Sequence, residues 1–343
     1  MYYFVLFRCL FVDFRKAFEL IDHTVLFQKL NQYNCPNHLK LWLMSFLTNR
    51  AQFIKIGRPN NYSPILNSHA GAPQGTRAGP NAFKVVINDL SVPLPTIKYV
   101  DDVSIISVSN QPDNPELQNS LYDLHRWCVT SGLCLNIDKT KELVIHFGKI
   151  FTTSSVPLLT LDGEPISRID SFKVLGIIVS SDLTWNAHVA YIVSKACKRL
   201  YVVYQLLRSG VAYHDIVTVY CSLIRPVLEY CCPVWHPGLT RANHDEIESV
   251  QRRVLKLIFP QLSYHDALFV AGLEKLETRR QRLSVKVFNQ IKSDKHILNK
   301  LLVRREFNSG VMNFRAQYPY ILPRLKTDRA AKSLIWYGTK NKW

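Results

Sequence analysis

The chain has 343 residues, of which 43 are lysine or arginine and 26 are aspartate or glutamate, giving a formal net charge of +17. With 47% hydrophobic residues, 13 glycines and 17 prolines, the composition excludes a disordered or collagen-like protein and supplies ample apolar surface for a core. The excess of positive charge favours a polyanion or an anionic membrane as partner, because cationic side chains release counterions when they meet phosphates.

The apolar start of the chain is interpreted as a buried strand and not as a secretion signal. It lacks a basic leading region and a small-residue cleavage site, and Arg8 and Asp13 interrupt it well short of a membrane span. Eight cysteines without a Cys-x-x-Cys pair are typical of reduced thiols. We therefore expect an intracellular protein of the nucleus or cytoplasm, neither secreted nor attached to a membrane.

Strand and helix patterns alternate over about the first 180 residues. The expected strands are 2–12, 51–56, 97–108, 143–147 and 172–179, and the expected helices are 22–33, 37–48, 81–90 and 115–131. After Trp185 the pattern changes to long helical periods near 186–208, 213–230, 240–258 and 273–291. The sequence therefore predicts an α/β domain at 1–180, followed by an all-α domain at 181–343.

Acidic side chains occur within one of the expected strand segments and directly after another. Asp101 and Asp102 are adjacent inside an apolar run, where a tight turn is expected, and Asp13 directly follows another apolar run. A solvated turn would explain the adjacent pair alone, since aspartate is common in turns. Convergence of all three carboxylates would instead give a site for magnesium with oxygen ligands only. Two such ions can bind the attacking and the leaving oxygen of an in-line phosphoryl displacement.

A glycine-containing segment, 71–80, lies between these carboxylates and precedes an expected helix. Gly75 and Gly79 permit a ligand to approach the backbone closely, and amides at a helix N-terminus favour phosphate. An ordinary glycine turn before a helix is the alternative.

Five segments, at 11–23, 72–90, 99–102, 132–141 and 172–176, occur in an order that resembles motifs A, B, C, D and E of reverse transcriptases. The chain resembles the enzymes of jockey-like non-LTR (LINE) retrotransposons over nearly its whole length. The resemblance implies an α/β polymerase palm at 1–180, with an antiparallel sheet backed by helices, and an all-α thumb-like domain at 181–343. Because only twelve residues precede Asp13, we expect the fingers to be largely missing and the polymerase to be truncated at its N-terminus.

The resemblance also implies roles for charged side chains. Asp13, Asp101 and Asp102 match the carboxylates that hold the catalytic Mg²⁺ or Mn²⁺ ions. Lys139 matches the motif D lysine that stabilises or protonates the leaving pyrophosphate. An ordinary surface lysine is the alternative for Lys139.

The nucleotide-binding residues implied by the resemblance are Phe14, Phe18, Gln74 and Gly75. Phe18 matches the aromatic steric gate that would clash with a ribose 2′-hydroxyl, and a core aromatic is the alternative. Gln74 and Gly75 match the Pro-Gln-Gly segment that shapes the pocket for template and nucleotide.

The implied function is RNA-directed DNA polymerisation by two-metal nucleotidyl transfer. The implied partners are an RNA template, a DNA primer, their RNA–DNA hybrid and deoxynucleoside triphosphates, with no obligate protein partner. A non-catalytic nucleic-acid-binding remnant without fingers is the alternative.

Basic side chains share helix faces in the second half. They form two clusters, one of Lys195, Lys198 and Arg199 and one of Arg279, Arg282 and Lys286. The clusters predict a groove for nucleic-acid backbone, with a solvated helix surface as the alternative.

Overall fold

The computed structural model describes residues 5–57, 61–73, 75–147, 155–304, 319–322 and 330–343. The chain divides into two compact units, Met1–Phe172 and Lys173–Trp343. The division falls at 172, whereas the change of sequence pattern indicated 180. Each unit has a hydrophobic core of its own.

The first unit alternates strands with helices. Its strands are β1 (Val5–Val12), β2 (Arg50–Gln52), β3 (Leu66–Ser68), β4 (Thr96–Tyr99), β5 (Asp102–Ser109), β6 (Lys141–Phe147), β7 (Thr160–Leu161), β8 (Glu164–Pro165) and β9 (Ser167–Ile169). Its helices are α1 (His23–Asn31), α2 (Asn37–Leu47), α3 (Ala78–Ile87) and α4 (Glu116–Thr130). Each helix expected before residue 180 overlaps one of these four.

A five-stranded sheet in the order β4-β5-β1-β6-β9 organises the first unit. The central strand β1 pairs antiparallel with both β5 and β6, but the edge strand β9 runs parallel to β6. The sheet is therefore mixed and not wholly antiparallel as expected. The connection 148–166 is long enough to return the chain to the start of β6, which a parallel pair requires.

Alternation along β1 determines which face of the sheet is covered. Leu6, Leu10 and Val12 are buried, whereas Phe7 and Phe11 between them are only half-buried. The buried side chains near Asp13 belong to a core formed with apolar residues of α1, α3 and α4. Helices thus back one face of the sheet and leave the other more open.

A buried ion cluster ties three strands of this sheet together. Glu142 on β6 is fully buried and accepts hydrogen bonds from Arg8 on β1 at 2.6 Å and from Arg168 on β9 at 2.9 Å. Both guanidinium groups also donate to the carbonyl oxygen of Pro157 at 2.9 Å. These additional bonds help to offset the cost of removing the charges from water.

A hairpin of β10 (Ser171–Val174) and β11 (Ile177–Ser180) contains the division between the units, and helices follow it. The helices are α5 (Asn186–Arg208), α6 (Tyr213–Val219), α7 (Arg225–Glu229), α8 (Cys232–Trp235), α9 (Arg241–Ile258), α10 (Tyr264–Val270), α11 (Leu276–Ile291) and α12 (Leu334–Lys340). A π-helical turn, Tyr220–Ile224, divides the helix expected at 213–230. Pro226 follows this turn and has no N–H with which to continue an α-helical ladder. No helix within the described ranges has both the length and the apolar character needed to cross a bilayer.

Candidate active site

The ends of β1 and β5 bring two of the predicted carboxylates together. Val12 pairs with Val103 across the two strands, so Asp13 and Asp102 occupy the next position in the same register. Although Asp102 is exposed as a whole residue, partial desolvation of its carboxylate raises its pKa, and the neighbouring carboxylates of Asp101 and Asp13 raise it further. Asp102 is therefore close enough to Asp13 and to Asp101 for each of their charges to repel its own.

A tight turn between β4 and β5 presents the third carboxylate. Tyr99 pairs with Asp102, which leaves Val100 and Asp101 as a two-residue connection. Val100 has a φ of 57°, in the left-handed region used by such hairpins. Asp101 and Asp102 are both exposed, whereas Asp13 is half-buried.

The loop 134–140 fixes the chain around Asp13. Asn136 donates a hydrogen bond from Nδ2 to Oδ2 of Asp13 at 3.0 Å, and its backbone N–H donates to the Asp13 carbonyl oxygen at 2.9 Å. The N–H of Asp13 donates to Oγ1 of Thr140 at 3.3 Å. The N–H of Arg15 donates to the carbonyl oxygen of Cys134 at 2.8 Å. Asp13 is thus held through both its backbone and its carboxylate.

A cavity of about 400 Å³ opens beside Asp13. Asp101 and Lys139 line it together with the turn at 14–20, which contributes Arg15 and Lys16. A cavity lined by both carboxylates and cations is suited to a polyanion that is also held by divalent cations. No role was predicted for Arg15 and Lys16, although two consecutive basic residues two positions after Asp13 were a visible signal in the sequence.

The two predicted nucleotide-binding aromatics lie in different surroundings. Phe18 is half-buried, lines the cavity and has its ring centroid 5.2 Å from that of Phe83. Phe14 is only 5% exposed, with its ring 6.4 Å from Phe83 and 6.5 Å from Trp127. Phe14 therefore packs mainly in the core, although it is also among the residues that line the cavity, and its contact with a nucleotide stays a prediction. Buried and half-buried residues continue to alternate past the end of β1, with Val12 and Phe14 buried and Asp13 half-buried between them, which explains the burial of Phe14.

Backbone hydrogen bonds dock the segment before α3 onto the turn after Asp13. The N–H of Ala72 donates to the Phe18 carbonyl oxygen, and the N–H of Gly71 donates to the Ile21 carbonyl oxygen, both at 2.8 Å. Gly71 has a φ of 78°, and a Cβ atom there would lie 2.5 Å from the carbonyl oxygen of Glu19. The close approach of these two segments therefore requires glycine at position 71.

The Pro-Gln-Gly segment itself is described only in part. Gln74 lies outside the described residues. Gly75 is exposed with a φ of 76°, and a Cβ atom there would meet nothing within 4 Å. Gly75 is not among the residues that line the cavity beside Asp13.

The donor set at the strand ends fits a hard divalent cation in chemistry. Asp13, Asp101 and Asp102 offer carboxylate oxygens only, which suit Mg²⁺ or Mn²⁺. Within the described part of the chain, no three His, Cys, Asp or Glu side chains already converge as a metal cage. A cation held by these three groups would relieve the repulsion that adds to desolvation in raising the pKa of Asp102.

The open face of the sheet continues away from these carboxylates as an aromatic and apolar surface. Phe172, in the predicted motif E segment, stacks on Phe11 with ring centroids 4.3 Å apart and planes 10° apart. Tyr99 and Ile97 on β4 are 60% and 61% exposed. Flat aromatic groups beside the carboxylates are suited to contact with a base or sugar.

The two basic clusters of the second unit differ in how their charges are compensated. Arg279 forms ion pairs with Glu229 at 2.5 Å and with Glu274 at 3.8 Å, and Arg282 also pairs with Glu274. The guanidinium of Arg199 donates to the Leu223 carbonyl oxygen. Lys195 and Lys198 on α5 are exposed. The lysines of α5 therefore fit the predicted phosphate groove better than the arginines of α11 do.

A family model and two named relatives match the sequence of this chain. The family model described as "Reverse transcriptase (RNA-dependent DNA polymerase)" matches residues 8–179. The probable RNA-directed DNA polymerase from transposon X-element of Drosophila melanogaster is 25% identical over 264 residues, which is 73% of this chain and 28% of that protein. The RNA-directed DNA polymerase from mobile element jockey of the same species is 25% identical over 264 residues, covering 72% and 28%. The chain thus spans less than a third of the length of these relatives.

Among solved structures, the chain is similar to telomerase from Candida albicans, determined in complex with a fragment of telomeric RNA. The match covers 86% of this chain and 50% of that chain at 10% sequence identity, with a TM-score of 0.41. A likeness at this level is too weak to establish a common fold.

Proposed function

Because the chain belongs to the reverse transcriptase (RNA-dependent DNA polymerase) family, we propose that its first unit catalyses RNA-directed DNA polymerisation. The substrates are deoxynucleoside triphosphates, and the partners are an RNA template, a DNA primer and the hybrid that they form. Relatives named as RNA-directed DNA polymerases of mobile elements support this assignment. The net charge of +17 favours the same class of partner.

In the proposed reaction, the primer 3′-oxygen attacks the α-phosphorus of the incoming nucleotide. A new P–O bond forms as the bond to pyrophosphate breaks, and the proton of the primer hydroxyl passes to solvent water. Asp13, Asp101 and Asp102 would hold two divalent ions, whose charge stabilises the attacking and leaving oxygens. Their near-opposite positions at neighbouring strand ends support this role.

The remaining residues of the cavity have proposed roles in binding and in proton transfer. Lys139 lines the cavity and is exposed, so it can stabilise the leaving pyrophosphate or donate a proton to it. Phe18 presents its ring at the same cavity, where it would exclude a ribose 2′-hydroxyl. The stacked pair of Phe11 and Phe172 would contact the primer end on the open face.

The observation on which the proposal rests is the strand register, which brings Asp13 at the end of β1 opposite Asp102 at the β4–β5 turn, beside a cavity that Asp13 and Asp101 both line. Primer extension on poly(rA)–oligo(dT) with dTTP and Mg²⁺ tests it directly. Asp101→Asn keeps the side-chain shape but removes a charge, and we expect incorporation to fall about 100-fold or more, since a metal ligand contributes several kcal/mol to the barrier. Asp113→Asn, at an exposed turn position, is the matched control and should leave incorporation unchanged.

Two outcomes would count against the proposal. Incorporation that survives Asp101→Asn would remove this carboxylate from the mechanism. Tight binding of hybrid by the wild-type chain with no incorporation would favour the alternative of a non-catalytic nucleic-acid-binding remnant.

A further inference from the structure

Asn136 is the residue through which the loop 134–140 contacts Asp13. It is half-buried, and its amide Nδ2 lies 3.0 Å from Oδ2 of Asp13, although 123 residues separate the two in sequence. The bond joins an amide donor to a carboxylate acceptor. Hydrogen bonds to ionised acceptors are about twice as strong as bonds between neutral groups.

Backbone contacts fix where the Asn136 side chain begins. The Asn136 N–H donates to the Asp13 carbonyl oxygen at 2.9 Å, and Phe14 forms an isolated β-bridge with Leu135. The Asn136 carbonyl oxygen accepts hydrogen bonds from the N–H groups of Lys139 at 3.2 Å and Thr140 at 2.8 Å. The amide is therefore delivered from a fixed backbone position, and Lys139 is held in the same turn.

The contact leaves part of the Asp13 carboxylate available. Asn136 occupies one lone pair of Oδ2, and a carboxylate has about four acceptor positions. Within the described ranges, Oδ1 of Asp13 accepts no hydrogen bond. The amide can thus restrict rotation of the carboxylate while an oxygen remains open to a ligand.

We propose that Asn136 is a positioning residue, whose amide orients the Asp13 carboxylate for a divalent cation. This inference rests on the proposed function, because it concerns the same carboxylates. Groups that orient metal ligands are expensive to remove, and their substitution typically lowers metal affinity or activity about 10- to 100-fold.

Binding of Mn²⁺ to the full chain tests the inference without an assay of activity. The unbound ion is counted by its electron paramagnetic resonance signal in titrations of wild type, Asn136→Ala and Asn136→Leu. Leucine has nearly the shape of asparagine and no donor, so both variants should bind Mn²⁺ about 10- to 100-fold more weakly. Asn119→Ala, at an exposed position of α4, should bind like wild type. Wild-type affinity in Asn136→Leu would overturn the inference.

Kinetics on poly(rA)–oligo(dT) with Mg²⁺ separate positioning from structural support. We expect kcat to fall about 10- to 100-fold in Asn136→Leu, with KM for dTTP changed less than about threefold. Asn136→Gln retains the amide one methylene further out and should recover part of the loss. The thermal unfolding midpoint without metal should be similar in wild type, Asn136→Leu and Asn136→Gln. A loss of kcat that merely follows a loss of folded protein would show that Asn136 supports the fold alone.

These measurements distinguish the two proposals. If wild type binds Mn²⁺ but incorporates no nucleotide, the polymerase assignment fails while the comparison of affinities still tests Asn136. If wild type incorporates nucleotide and Asn136→Leu equals it in affinity and kcat, the role of Asn136 alone is refuted.

Discussion

Phe18 has two neighbours of different kinds, the core ring of Phe83 and the cavity beside Asp13. A ring in this position can serve packing and substrate selection at once. If it limits the space at the sugar, a smaller side chain should admit the 2′-hydroxyl. If it only packs, its removal should affect stability alone.

We expect Phe18→Val to lower the preference for dTTP over UTP about 10- to 100-fold, the range in which a pocket rejects an added hydroxyl by fit. The ratio of kcat/KM for the two nucleotides on poly(rA)–oligo(dT) measures it. Phe83→Leu is the control, since Phe83 packs against Phe18 without lining the cavity. An equal change of ratio in both variants would assign the effect to packing.

The sequence predicted where the strands that carry the candidate carboxylates end, because apolar runs stop or are interrupted at those residues. The apolar runs before Asp13 and around the Asp101–Asp102 pair indicated where strands would stop, and those stops meet at one edge of the sheet. The contact of Asn136 with Asp13 had no local pattern, because it depends on a loop that returns to the sheet from far along the chain. The parallel strand β9 was missed for a different reason, because three residues are too few to show a strand-like alternation of apolar and polar side chains.

At the scale of elements, the turn after Asp13 and the segment before α3 approach each other closely through their backbones. A Cβ atom on Gly71 would lie 2.5 Å from the Glu19 carbonyl oxygen and 2.8 Å from that of Phe18. Neither acceptor belongs to a flexible side chain. The two segments would have to separate to admit any other residue.

Gly71→Ala should therefore destabilise the chain about 1–3 kcal/mol more than Gly163→Ala does. Both glycines have a positive φ, 78° and 84°, so both substitutions carry the cost of the left-handed region, but a Cβ atom at Gly163 would meet nothing within 4 Å. Urea unfolding midpoints compare the two variants. Equal losses would show that the 71–73 segment can move away from the turn at little cost.

The molecule as a whole contains buried histidines in its second unit that are neutral when folded. Burial lowers the pKa of His188 to about 4, and burial together with Arg280 and His244 lowers the pKa of His236 to about 3. Nδ1 of His188 accepts a hydrogen bond from the Ile178 N–H at 3.3 Å, which a proton on that nitrogen would prevent. Both rings therefore bind protons more weakly in the folded chain than in the unfolded chain.

Stability should consequently fall as the pH is lowered from about 6.5 to about 4, because the unfolded chain takes up these protons first. Within that pH range, each histidine changes the free energy of unfolding by up to about 1.4 kcal/mol per pH unit, and above that range it contributes nothing. The variant His188→Asn keeps a hydrogen-bond acceptor but cannot titrate. The pH dependence of its free energy of unfolding should therefore be smaller by the contribution of one proton, which is up to about 1.4 kcal/mol per pH unit. Urea unfolding of the full chain at several pH values measures it, and identical slopes would show that His188 is accessible to protons when folded.

The cluster of Glu142, Arg8 and Arg168 has an asymmetry that bears on how this sequence can change over generations. Loss of either arginine leaves a matched pair of opposite charges, whereas loss of the glutamate leaves two cations facing each other away from water. A substitution of either arginine can therefore be tolerated until a later substitution compensates for it. Loss of Glu142 gives no such tolerated intermediate, so Glu142 is the residue of this cluster that is hardest to replace.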